Sequence, residues 1–412
     1  MSILNGIYAN TPFDTAEIPQ ADLNIANKFR SNPLRWKGQF SPQLVHVLLN
    51  NYSDPSSVVF DPFVGSGTVL LESGMAGVAA SGTEINPAAA MLAQTYRSIN
   101  VPVDLRLFHV KEVANLLRSV FFPNNELTPI EPNLEVVKPK LLDLFSKMNN
   151  QFQLRMLETL ITLVDFYRSD ISARRISKVW KNLTELVIGL PFSNQPIEVY
   201  LSDARETPLS DSSVNLVITS PPYINVFNYH QQYRASMEAL NWNLLKVSRS
   251  EFGSNRKHRA NRFLTVIQFC LDIVQTLSEL ARVCRSDARL IFIVGRESMV
   301  KGTRFFNGEL VAEICHRSSW FNFILKQQRT FRNSFGQSII EDVLHFSPSV
   351  RTISDEMALG IAREVAHETL EASFHIAPEK SKMDIMLALR NINSVHPSPF
   401  FDLEDMKAIQ NV

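Results

Sequence analysis

Residues 57 to 87 constrain the chain more tightly than any other stretch. An apolar run from Ser57 to Phe60 meets the turn Asp61-Pro62-Phe63-Val64-Gly65-Ser66-Gly67-Thr68, and a helical segment, Val69 to Met75, follows and stops at Gly77. Ala79 to Thr83 reads as a second strand, Glu84 stands at its end, and Asn86-Pro87 opens the next helix. Strand, glycine-rich turn, helix, strand, acid is the ligand-binding half of a doubly wound sheet. Gly65 and Gly67 let backbone approach a ligand closely. Asp61 offers an acceptor to an ammonium or hydroxyl group. Glu84, 17 residues after Gly67, stands near the spacing of an acid that holds ribose hydroxyls. No Gly-Lys-Ser/Thr follows the glycines, which excludes a phosphate-binding loop.

A second apolar run, Val214 to Ile218, ends in Ser220-Pro221-Pro222-Tyr223. Each proline fixes its own φ and restrains the residue before it, so the strand stops in a stiff corner. That corner presents Thr219, Ser220 and the Tyr223 ring at a strand's C-terminal edge, where open α/β sheets place their ligands. Ile197 to Leu201, ending at Asp203, supplies a third acid-bearing strand end. The predicted fold class is therefore α/β, a doubly wound Rossmann-like sheet, with a helical insertion and a helical C-terminal extension.

The chain divides into an N-terminal arm (1–34), a sheet domain in two parts (35–102 and 197–348), a leucine-rich helical insertion (103–196) and a helical extension (349–412). The arm is expected to be extended. Thr265 to Cys284 reads as an amphipathic helix, Ala288 to Gly295 as a strand, and Phe321 to Phe331 with Ile340 to Phe346 as a closing antiparallel pair. The 412 residues carry a formal net charge of +0, so a nucleic-acid surface has to be a local basic patch. Such patches occur at Arg168 to Lys181, with Asp170 as its one acid, and at Lys246 to Arg262, where Glu251 is the one acid. Within the second, Arg256, Lys257 and Arg259 are candidate phosphate contacts. Cys270, Cys284 and Cys315 form no CxxC pair and no metal spacing, and read as buried reduced thiols of a cytoplasmic protein. Neither a leader nor a membrane span is expected, and no metal site.

Asp61-Pro62-Phe63-Val64-Gly65-Ser66-Gly67-Thr68 followed by Ser220-Pro221-Pro222-Tyr223 resembles the exocyclic-amino DNA methyltransferases, which use S-adenosylmethionine to modify cytosine N4 or adenine N6. Lys37-Gly38-Gln39-Phe40-Ser41-Pro42 resembles that family's N-terminal cofactor motif. The likeness covers residues 35–100 and 197–348; the long insertion between the second and third strands departs from it.

The resemblance implies a role for each matched residue. Asp61, Phe63, Gly65, Gly67 and Thr68 would hold the methionine end of the cofactor, with Lys37, Phe40 and Ser41 beside them. Glu84 would take the ribose and Asp203 the adenine amino group. Ser220 and the Pro221 carbonyl would accept from the target amino group, Pro222 would stiffen the corner, and Tyr223 would stack on the flipped base. Tyr229 and Tyr233 are candidates for lining the base pocket. Ring-carbon methylation needs a cysteine that in its own family follows a proline, and none of the three cysteines does. Serine at the first corner position leans towards cytosine N4, with adenine N6 as the alternative. The implied setting is double-stranded DNA protected beside a cognate restriction endonuclease. An RNA methyltransferase and a non-catalytic binding subunit are the remaining readings.

Overall fold

In the computed structural model the described residues are 4–25, 30–122, 133–224, 228–253, 258–333, 336–349 and 353–406. Short β-branched and aromatic runs form the strands: β1 (Val58–Asp61), β2 (Ala79–Thr83), β3 (Ile197–Tyr200), β4 (Val214–Thr219), β5 (Cys284–Gly295), a small ribbon of β6 (Ser298–Val300) and β7 (Thr303–Phe305), then β8 (Phe321–Arg332) and β9 (Ser338–Pro348). Seven of them make one sheet in the order β3-β2-β1-β4-β5-β9-β8. The first five are parallel, with Val59 beside both Ala80 and Leu216, while β9 runs antiparallel to β5 and to β8.

Side chains alternate across the sheet with the period of two that a strand imposes. Phe60, Val217, Leu290, Phe292 and Val294 face one apolar cluster, built on the helices Leu264–Val283, Asn307–Arg317 and Asp355–Ile376. Val59, Leu216, Ile218, Ile291 and Ile293 face the other, built on Pro42–Tyr52 and Thr68–Ala76. Both faces are covered, as a parallel sheet requires. The helix Leu264–Val283 is long and apolar enough to cross a membrane, but it is the core helix of one layer, with Phe269, Cys270 and Leu277 fully buried. The chain leaves β1 towards β2 and β3 on one side, and β4 lies on the other. The switch point of the sheet is thus between the C-terminal ends of β1 and β4.

Between β2 and β3 four helices, Val103–Phe121, Leu134–Ser146, Gln151–Val164 and Ala173–Gly189, share an apolar core of their own around Val113, Leu157, Leu160, Ile176 and Leu183. Arg106 is fully buried and ties the two ends of this lobe together, donating to the carbonyls of Val101, Val187, Leu190 and Pro191. The Val187 carbonyl, in the last turn of Ala173–Gly189, and that of its C-cap Leu190 lie at the negative end of the helix dipole, which favours a cation there.

The N-terminal arm differs from the expected extended segment. It forms helical turns at Ile7–Asn10 and Gln20–Asn24, with Tyr8 buried and Phe13 bridged to Lys326 on β8. Its leading backbone N–H groups are satisfied by buried acids: Leu4 donates to Glu309 and Tyr8 to Glu313. That dependence on distant carboxylates gave the arm no local helical signal.

Candidate active site

The strand ends at the switch point open into a pocket. Its floor is the turn after β1, Pro62 to Ser66, with Thr68 behind it. One wall is Glu84, Ile85 and Asn86 after β2, continuing to Ser202, Asp203 and Ala204 after β3. Ser220 and Pro222 after β4 close the other end. The mouth is framed by Trp36 to Phe40, Tyr229, Glu251 and Phe252. A mostly apolar cleft with a few convergent polar groups is the usual form of a small-molecule site.

Asp61 ends β1 and is buried, yet it does not line the pocket. Its Oδ1 accepts from the Phe63 N–H at 3.1 Å and from the Thr219 hydroxyl at 2.7 Å. It therefore bolts the glycine turn to the end of β4, the strand that carries the proline corner. Burial pushes its carboxyl up to about 7 against those two hydrogen bonds. Gly67 also lies behind the pocket rather than in its wall. Its φ is +88°, and a Cβ there would meet Tyr96 at 2.8 Å and Ala93 at 3.0 Å. Gly65, Phe63 and Thr68 do line the pocket, and Thr68 Oγ1 donates to Asn32 at 3.0 Å.

Glu84 faces the cavity. Its Oε2 accepts from the Gly65 N–H at 3.0 Å and its Oε1 from the Asn86 N–H at 2.8 Å. A carboxylate has about four acceptor sites, so two remain for a ligand. Burial pushes Glu84 up to about 7; the two backbone bonds oppose this, and the nearby Glu251 and Asp61 add to it.

Asp203 has no such reserve. Oδ1 takes the Arg205 backbone N–H at 3.0 Å and Nε at 2.9 Å; Oδ2 takes Arg205 Nη2 at 2.7 Å and the Phe401 N–H at 3.0 Å. The buried Arg205 also reaches Asp272 and the carbonyls of Ser398 and Pro399, and its guanidinium lies 4.3 Å from the Phe400 ring centre. Asp203 thus anchors the C-terminal segment, and its expected bond to an adenine amino group finds no open acceptor. Beside it the Ser202 hydroxyl is buried without a partner among the described residues, as is the Asn86 side-chain nitrogen. Both residues line the pocket. A buried polar atom without a partner costs roughly 1–3 kcal/mol, and a bound ligand removes that cost.

The N-terminal loop closes the mouth through aromatic stacking. The Trp36 ring stacks with Tyr229 (6.2 Å, 14°) and with Tyr233 (6.3 Å, 26°). Tyr233 donates to the Arg35 carbonyl at 3.0 Å, and the Lys37 N–H donates to Gln232 at 3.0 Å. Tyr229 thus lines the pocket that also holds Ser220 and Pro222, while Tyr233 packs on Trp36 outside it. Lys37 and Phe40 line the pocket. Ser41 stands at the N-cap of Pro42–Tyr52 outside it, with its hydroxyl bonded to Gln43 rather than to the helix backbone.

At the corner, Ser220 Oγ lies 3.2 Å from the Tyr223 hydroxyl. Pro221 is buried, and Pro222 stands in the pocket wall. The Tyr223 ring is tucked against the end of β5, where a Cβ at Gly295 would come within 2.7 Å of it. Burial pushes its hydroxyl up, well beyond the ordinary phenol range. Tyr223 supports Ser220 from below, and it does not line the cavity.

Trp36, Asn86, Ser202, Glu251 and Phe252 join the site without having been singled out from sequence. Glu251 had a signal: it is the lone acid in a basic stretch. It is buried at the mouth, accepting from the His230 backbone at 2.7 Å and facing its Nδ1 at 2.8 Å. Phe252 packs edge-on to Phe63 at 5.4 Å. Arg259 is exposed and outside the pocket, and Arg256 and Lys257 lie outside the described residues.

A doubly wound sheet with such a pocket at its switch point is a Rossmann-like ligand-binding fold. Residues 18–95 match the DNA methylase family. A Type II methyltransferase, M.MjaII of Methanocaldococcus jannaschii, is 27% identical over 114 residues, 27% of this chain and 20% of the relative. Both matches are partial, and over them the chain is similar to the DNA methylases; S-adenosylmethionine is the cofactor that such a likeness implies. Among solved structures, a SAM-dependent methyltransferase of Methanosarcina mazei is 12% identical, covering 74% of this chain and 98% of its own, with a TM-score of 0.36. The rRNA methyltransferase aviRa of Streptomyces viridochromogenes is also 12% identical, covering 81% and 93%, with a TM-score of 0.28.

Proposed function

We propose that the protein transfers the methyl group of S-adenosylmethionine to the exocyclic N4 amino group of cytosine in DNA. The observation that carries this reading is one continuous cavity joining two chemistries. At one end Glu84, Asn86 and Ser202 offer unfilled hydrogen-bonding capacity to a nucleoside; at the other Ser220 stands in the proline corner. The residues suit the cofactor: Glu84 for ribose hydroxyls, Asn86 and Ser202 for nucleoside polar atoms, and acids near a positive charge. When bound, the cofactor supplies a methyl group on a sulfonium.

The chain's own part is positioning. Ser220 Oγ and the Pro221 carbonyl accept hydrogen bonds from the two amino N–H groups, which holds the nitrogen lone pair out of ring conjugation and towards the cofactor end. Tyr223 fixes Ser220, and the prolines remove backbone freedom from the corner. Aromatic and apolar walls exclude water, so these few polar contacts act at low dielectric. Transfer forms an N–C bond as the S–C bond breaks, and the excess amino proton leaves to solvent.

Serine at the corner favours cytosine N4 over adenine N6 in this reading, and protection of DNA beside a restriction endonuclease is the setting it suggests. The test is Ser220→Ala. Single-turnover methyl transfer is expected to fall on the order of 10²-fold, with affinity for S-adenosylhomocysteine unchanged. Transfer at the parent rate overturns the role of the corner.

A further inference from the structure

Tyr167 is 89% exposed, more than any other large hydrophobic side chain among the described residues. Exposure on that scale is ordinary at a loose loop tip, but the turn that carries Tyr167 is pinned on both sides. Asp165 takes a left-handed conformation at φ 58° to end the helix Gln151–Val164. The next residue, Phe166, is buried, and its N–H donates to Ser236 Oγ at 3.1 Å. On the far side Arg175 reaches back to the carbonyls of Val164 at 2.9 Å and Leu163 at 3.1 Å. Arg168 is held by Asp170 at 2.7 Å. The ring is therefore presented to solvent by a fixed frame, which lowers the entropy lost when it makes a contact.

The frame is joined to the active site. Ser236 belongs to the helix Arg234–Ala239, which follows Tyr233, and Tyr233 holds Arg35 and stacks on Trp36 at the pocket mouth. The two segments linked through Tyr233 and Ser236, 33–38 and 165–178, carry six cations (Arg35, Lys37, Arg168, Arg174, Arg175, Lys178) against two acids, Asp165 and Asp170. On a chain of net charge +0 this is a local positive field beside the cavity.

We infer that the turn Asp165–Asp170 is a DNA-contacting element of the helical lobe. Tyr167 stacks on a base or sugar beside the target nucleotide, and Arg168 and Arg35 meet the flanking phosphates. A rigid aromatic set among cations is what stacking plus phosphate neutralisation require. The inference rests on the DNA reading above and adds where the lobe touches its substrate.

The test uses the full chain, a fluorescein-labelled duplex of mixed sequence, and titrations across salt concentration. Tyr167→Ala is expected to weaken duplex binding roughly 5- to 100-fold, with the salt slope unchanged. Tyr167→Trp is expected to restore it. Arg168→Ala should lower the slope by about 0.9. S-adenosylhomocysteine affinity should stay at the parent value in all three, since none of these side chains lines the pocket. Parent-like duplex affinity in Tyr167→Ala, or loss that Tyr167→Trp does not restore, overturns the inference while the DNA reading stands. Failure of the parent chain itself to bind duplex overturns both.

Discussion

Gly65 and Gly67 both sit in left-handed backbone two residues apart, and the structure assigns them opposite vulnerabilities. Adding a methyl at Gly67 forces a Cβ into φ +88° and into Tyr96 and Ala93 at 2.8–3.0 Å. The left-handed conformation costs about 1–2 kcal/mol. Overpacking against helix backbone adds about 1–3 kcal/mol. Gly67→Ala should therefore destabilise the free protein by about 2–5 kcal/mol. At Gly65, with φ +53°, the nearest atom to an added Cβ is Trp36 Cδ1 at an ordinary 3.5 Å. Gly65→Ala should cost only the backbone part, about 1–2 kcal/mol. Its methyl, however, enters the pocket wall beside Trp36 and the Phe63 carbonyl, so cofactor affinity should fall. Denaturant unfolding of both variants without ligand, with calorimetric titration of S-adenosylhomocysteine, separates the two. Equal destabilisation, or a Gly67→Ala protein of parent stability that has lost only cofactor binding, would refute the reasoning.

Ser202→Ala removes a buried hydroxyl that the ligand-free protein leaves unpaired. Stability without ligand should hold or rise, while S-adenosylhomocysteine affinity should fall by about 1 kcal/mol in titration calorimetry. A pH series should show two opposite slopes. Asp61 and Glu84 hold their protons up to about 7, so the folded protein binds more protons than the unfolded chain above the ordinary carboxylate range of about 4. Stability of the free protein should therefore decline from about pH 4 to 7. Cofactor binding favours ionised Glu84, so affinity should rise over the same approach to pH 7 and then level; Glu84→Gln should flatten that rise.

The sheet was legible because its signals are local. Strand, glycine turn and helix from Ser57 to Gly77, the second strand Ala79 to Thr83, and the run ending at Ser220 each carry their periodicity and stop residues in consecutive positions. The pocket's own residues were partly legible for the same reason: Glu84, Gly65 and Phe63 follow directly from the turn they build. What escaped depends on long-range contacts. Asp203 has the position of a ligand acid, but Arg205 and the Phe401 N–H, almost two hundred residues away, take its acceptors. Arg205, two residues on, was the local signal of a partner; the Phe401 N–H had none. Asp61 likewise reads as a ligand contact until Thr219 is found 2.7 Å from it across the sheet. Tyr223 reads as a stacking ring until β5 brings Gly295 beneath it. For Asp61 and Tyr223 the residue at a strand end was assigned to the ligand when a distant element packs on it; for Asp203 a neighbour two residues away takes most of its acceptors.

The central claim is that the Ser220 corner directs a methyl group onto an exocyclic amino nitrogen of DNA. It is tested most directly by incubating duplex DNA with the protein and methyl-labelled S-adenosylmethionine, digesting to nucleosides and identifying the labelled base by mass spectrometry. The account predicts label in N4-methylcytosine, lower on the order of 10²-fold in the Ser220→Ala sample at equal early times. Label in N6-methyladenine would contradict the choice of base, and label on a ring carbon, or none in DNA, would contradict the account itself.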